Sequence, residues 1–149
     1  MSLRHFWIIV LAMCVTAAVL DQASNPLQGQ QQAETISRCR SEGVSSVEIS
    51  TATSGNNELV ALTSGQRVHV CGFVLEGGGT VAAQFITGTG TACATDETDL
   101  TGAFPLTAQN VVSVPNAGAT QFKGATSSAL CLELGGSVAV EGIMQYVKY

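Results

Sequence analysis

An all-β fold is the expectation for this chain of 149 residues: an antiparallel two-sheet β-sandwich, jelly-roll-like or immunoglobulin-like, stapled by disulfides. Three observations predict it. Short runs of valine, threonine and other strand formers recur, while helical periodicity is nearly absent. Glycine-rich breaks, drawn from 16 glycines, separate those runs. Four cysteines, Cys39, Cys71, Cys93 and Cys131, are spread through the same region.

The strand-forming region starts after a leader. Met1 to Phe6 carries Arg4 and His5 without an acid, and Trp7 to Leu20 (WIIVLAMCVTAAVL) is an apolar run of 14 residues. A spanning helix needs about 20 apolar residues, so the run is short for an anchor. A positive start, a short apolar centre and small residues at Thr16 and Ala18 define a secretory signal peptide over 1–20, with an uncleaved anchor as the alternative. Cys14 is a poor lipid-attachment site because Met13 fills the place of a small residue. Residues 21–37 (DQASNPLQGQQQAETIS) are polar and glutamine-rich, and cannot bury enough apolar surface to offset their ordering entropy. They read as a disordered linker. Residues 38–149 then form one sandwich domain, at about 110 residues a normal size for a single core.

Within the domain, Val44 to Thr51 (VSSVEIST) and Asn57 to Leu62 (NELVAL) flank a turn over 54–57. Arg67 to Leu75 (RVHVCGFVL) and Thr80 to Thr87 (TVAAQFIT) flank Gly77-Gly78-Gly79, a hairpin signal because glycine accepts the positive φ angles of such turns. Val111 to Val114 and Ala119 to Lys123 are shorter candidates. Leu130 to Leu134 (LCLEL) alternates, setting three leucines on one face and Cys131 with Glu133 on the other. After Gly135-Gly136, Ser137 to Tyr149 (SVAVEGIMQYVKY) reads as a closing strand. Aromatic residues are 5% of the chain, so Val, Leu, Ile and Ala fill the core, with Phe73, Phe85, Phe104 and Phe122 as larger plugs.

Cysteine usage agrees with export. With Cys14 in the leader, an even four remain for an oxidising compartment, in any of three pairings. Spacings of 32, 22 and 38 residues lack the close pairs of a zinc site. No cofactor is expected. Charge excludes one class of partner: the chain carries a net charge of -5, with no basic stripe to hold phosphate backbones. A membrane is met only through the leader, should it stay uncleaved.

Candidate chemistry is sparse, and the chain reads as non-enzymatic. His69 lies in a strand between Val68 and Val70, with no nucleophile motif around it, and is expected to face solvent. Cys71 shares its face, which would allow a thiol–imidazole pair, but a disulfide is the expected state. Asp96-Glu97-Thr98-Asp99 follows a small polar stretch and reads as a solvated loop; calcium is its alternative, with Asp96 and Asp99 as ligands, although the twelve-residue calcium-loop pattern is absent. Gly77-Gly78-Gly79-Thr80 lacks the lysine and following helix of a phosphate cradle.

The series Arg67 to Phe73 (RVHVCGF), Gly88 to Cys93 (GTGTAC), Thr98 to Leu106 (TDLTGAFPL), Ala129 to Leu132 (ALCL) and Val138 to Val147 (VAVEGIMQYV) resembles a group of small β-proteins of bacteriophages and bacterial genomes. Some phage members lack the leader and the cysteines. The resemblance covers most of residues 39–149 and carries no catalytic residues to transfer. It implies a virion-associated or exported surface β-domain with no established biochemical role. With the compact β-architecture, the polar tether and the edge strands of a sandwich, the chain reads as a structural or decoration module that self-associates or joins other structural proteins of an assembly. The alternative is an extracellular adhesin binding a glycan or receptor. It is weakened by the scarcity of aromatic platforms: outside the leader stand four phenylalanines, Tyr146 and Tyr149, and no tryptophan.

Overall fold

The β-branched and alternating runs form ten strands and one turn of 3-10 helix within residues 38–40 and 43–149, which the computed structural model describes. The signal-peptide and linker assignments at 1–20 and 21–37 lie outside the described residues. In chain order the strands are β1 (Ser45–Thr51), β2 (Gly55–Val60), β3 (Val68–Gly77), β4 (Val81–Thr89), β5 (Thr95–Asp99), β6 (Phe104–Leu106), β7 (Val111–Val114), β8 (Phe122–Lys123), β9 (Ala129–Leu134) and β10 (Val140–Lys148). The 3-10 turn, Thr91–Cys93, precedes β5.

Two antiparallel sheets result. The first runs β1-β10-β3, with β7 and β8 sharing the far side of β3. The second runs β2-β9-β4, with β5 and β6 sharing the far side of β4. The pairing has a simple logic: β1 with β10, β2 with β9, β3 with β7 and β8, β4 with β5 and β6. The chain is thus one ribbon folded back near its middle. Rolling that ribbon adds the pairs β10 with β3 and β4 with β9. This is a jelly roll, which decides between the two expected sandwich types.

The Gly77-Gly78-Gly79 hairpin is corrected. β3 and β4 lie in different sheets, so the glycines form an arch between layers. None of the three has positive φ. Room is what glycine supplies: a Cβ on Gly77 would stand 2.9 Å from the Cβ of Leu106, too close without a shift. The acidic stretch is also corrected from loop to edge strand β5, because its backbone pairs with Ile86 to Thr89 of β4. β2 begins at Gly55, inside the expected turn, and the Ala119 to Lys123 candidate contracts to β8. Phe104–Leu106, which is not among the expected strands, pairs with β4; Pro105 sits on an edge row, where it breaks no interior ladder.

The inner faces meet in one core. Leu130, Leu132 and Leu134 enter it from β9, as the alternation requires, beside Ile49, Leu75, Val140 and Met144. Phe85 is the centre of an aromatic cluster, with ring centres 4.9 Å from Phe73 and 5.1 Å from Phe122. Opposite Gln145 and Tyr146 of β10, β3 carries one extra residue, a bulge that leaves Cys71 without a partner on β10. It shifts the alternation by one, so Val68 and Val70, then Phe73 and Leu75, all enter the core.

Candidate functional site

The same bulge positions the residues with potential chemistry. His69 and Cys71 fall on the outer face of the first sheet, as the alternation predicts. His69 is flanked across the strands by Val147 and Lys123. It does not face solvent: 7% of its surface is exposed, which corrects the expectation. The cause is a disulfide from Cys71 to Cys39, which pins the segment before β1 over this face and buries Cys39, Cys71 and Val147 together. Tyr149 presents its ring edgewise to the imidazole at 6.0 Å, and the Arg38 guanidinium lies 4.6 Å from the centre of the Tyr149 ring. Thr120 Oγ1 lies 3.5 Å from His69 Nδ1.

Burial, then the positive charges of Arg38, Lys123 and Arg67, lower the His69 pKa from 6.5 to about 4. The ring is therefore neutral near pH 7. Its bulge neighbour Cys71 is spent in a disulfide, so no thiol–imidazole pair forms. The folded value lies below the unfolded one, so between about pH 4 and 6.5 the unfolded chain binds more protons. Stability should rise with pH across that window and be lost as pH falls through it. The expected loss is about 1–2 kcal/mol once solvent screening of the nearby cations is allowed for. Urea unfolding of the parent and of His69→Gln at both ends of the window tests this. The variant should show a smaller drop, and equal drops in the two proteins would contradict the assignment.

The second disulfide joins Cys93 to Cys131. It holds the 3-10 turn against the outer face of the second sheet, where Ile86, Cys93, Ala129 and Cys131 form a small separate core. Ala92 and Cys93 both adopt positive φ, at 49° and 58°, a conformation that costs non-glycine residues energy and that the bridge holds in place. Beyond this flap lie the cation candidates. Asp96, also at positive φ, accepts a hydrogen bond from Thr89 Oγ1 at 2.9 Å, and Thr89 Oγ1 meets Thr95 Oγ1 at 2.7 Å. Glu97 accepts a hydrogen bond from Asn56 Nδ2, and Asp99 pairs in register with Ile86. All five residues of β5 are exposed. Among the described residues, no three Asp, Glu, His or Cys side chains converge as a metal site would require.

The structure therefore brings His69 and Cys71 together and leaves Asp96 and Asp99 in separate contacts on an exposed edge. Arg38, Thr120 and Tyr149, which enclose His69, escaped the sequence reading. Their nearest signal was the position of Arg38 beside Cys39. Among the described residues, the surface carries shallow grooves. The largest described, about 380 Å³, is lined by Val81, Pro105, Leu106 and neighbouring small residues. The phenylalanines belong to the interior cluster. Among the described residues, no helix is long and apolar enough to cross a membrane.

The fold and site define a disulfide-stapled jelly-roll domain. No protein-family model matches the chain, and no curated protein matches it. Solved structures of infectious bursal disease virus are similar to part of it. The crystal structure of the T13 viral particle is 13% identical over 70% of this chain and 30% of that one, with a TM-score of 0.37. The Gx and Gt strain structures are 14% and 15% identical, each with a TM-score of 0.32. They cover 71% and 70% of this chain, and 32% of theirs. The chain thus spans under a third of the length of the chains it matches.

Proposed function

We propose that this protein is an exported or virion-associated structural domain, a non-catalytic building or decoration block that works through protein–protein contacts. The observation that carries the reading is the commitment of its reactive side chains to structure. All four domain cysteines are consumed in two disulfides, and the one histidine outside the leader is buried and neutral beneath one of them. Jelly rolls serve capsids, lectins and enzymes alike, so the fold alone does not choose among them. Disulfides on both outer faces suit an oxidising compartment. The likeness to phage- and bacterium-encoded surface β-proteins forms part of the same proposal. The phenylalanines lie in the interior cluster, Tyr146 packs against the same core, and Tyr149 is set against His69 and Arg38, which ranks the adhesin reading second.

The test is quantitative proteomics of a producing culture, separated into cells, clarified medium and sedimented particles. Strong enrichment with particles or filaments is the expected result. Recovery as free protein in the medium, or on the cell envelope, would overturn the structural role.

A further inference from the structure

An antiparallel sandwich must protect its edges, because each exposes backbone donors and acceptors that another strand can take. Three of the four edges here are interrupted. The row of β5 and β6 is broken between Asp99 and Phe104, carries Pro105, and shifts register opposite Thr87 to Thr89. The row of β7 and β8 is broken between Val114 and Phe122, starting with Pro115. β2 shifts register between Glu58 and Val60. β1 is different. It pairs residue for residue with β10 from Ser45 to Thr51 without a shift. It contains no proline, glycine or lysine, and no described strand pairs with its other side.

We infer that β1 is an assembly edge and that its partner is β1 of a second copy of this chain, paired antiparallel about a two-fold axis. The inference rests on the structural role proposed above and names the surface that serves it. A partner strand must repeat the alternation of β1, with apolar residues on the core side and small polar ones outside. β1 meets that requirement itself: Val47 and Ile49 point inward, while Ser46, Glu48 and Ser50 are exposed on the outer face. A two-fold edge is self-complementary by construction and extends the first sheet continuously into the second molecule.

Glu48 selects the register. Pairing centred on Glu48 sets two carboxylates directly opposite, which is unfavourable. Pairing centred on Val47 sets Glu48 opposite Ser46 of the second copy, and pairing centred on Ile49 sets it opposite Ser50. In both cases a hydroxyl faces the carboxylate. Glu48 therefore permits the pairings centred on Val47 and Ile49 and penalises the one centred on itself.

Sedimentation velocity of the oxidised protein, from about 1 to 100 μM, tests this with two variants. The parent should shift from monomer to dimer as concentration rises. Ser46→Glu combined with Ser50→Glu opposes like charges in either favoured pairing, and should weaken association by about tenfold or more. Glu48→Thr removes the repulsion and should tighten it. Melting curves confirm that each variant is folded, which matters because Ser50 lies opposite Glu141 within the same molecule. A parent that associates while both folded variants behave like it would overturn the β1 edge and leave assembly through another surface standing. A parent that stays monomeric throughout would also overturn the edge, and enrichment with particles would then judge the structural role separately.

Discussion

Replacing Cys93 and Cys131 by alanine should lower the unfolding free energy by about 4 kcal/mol, the chain-entropy value for a loop of this length. The bridge closes a span of 38 residues and ties the flap of the second sheet to its central strand β9. Two costs add in the same direction. The unfolded chain regains freedom, and the positive-φ conformation at Ala92 and Cys93 loses its covalent restraint. Ile86 and Ala129, buried at the flap, should become accessible to solvent. For a domain of this size the change corresponds to a melting temperature lower by roughly 15 °C. Calorimetry of the oxidised parent against the double variant measures it. A shift of less than about 5 °C would mean that the side-chain bonds of Thr89, Asp96 and Glu97 hold the flap without the bridge.

Phe85→Ala is expected to cost about 3–5 kcal/mol, because it leaves a cavity at a point where four aromatic side chains meet. Phe85 is fully buried on β4 and packs against Phe73 of the opposite sheet, Phe122 of β8 and Phe104 of β6. Those partners come from both sheets, so the neighbours cannot close the void without moving a strand. Edge-on and tilted ring contacts add to the loss beyond the area term. Urea unfolding midpoints measure the change, with Phe85→Leu as the control that keeps most of the volume. The leucine variant should lose under about 2 kcal/mol. An alanine variant that loses no more than the leucine variant would show that the core collapses around the site, against the interlocked packing described here.

Legibility from the sequence followed the range of each interaction. The leucine face of β9 was readable because alternation is a property of five consecutive residues, and Leu130, Leu132 and Leu134 do enter the core. The phenylalanine plugs were readable because large apolar side chains have few stable places outside a core. The glycine arch was misread. Three glycines mark a change of direction, while whether the next strand pairs back or crosses to the other layer depends on β9 and β10, which arrive much later in the chain. The acidic run was misread for a related reason: exposed carboxylates disfavour a strand locally, and the ladder to β4 overrides that preference.

His69 shows the division most clearly. Local alternation placed it on the outer face, and it is there. Its burial and neutrality come from Cys39, Arg38, Thr120, Lys123 and Tyr149, which reach it from the segment before β1, from the chain leading into β8, and from the terminus after β10. By itself, the sequence determined the β class, the inward faces of the strands and an even set of cysteines suited to disulfides, because each depends on neighbouring residue types or on composition. Only the tertiary structure decided the jelly-roll order, the cysteine pairing, the sealing of His69 and the open edge of β1. Those depend on contacts such as Ser45 with Tyr146, which the chain makes only once it has folded back and rolled.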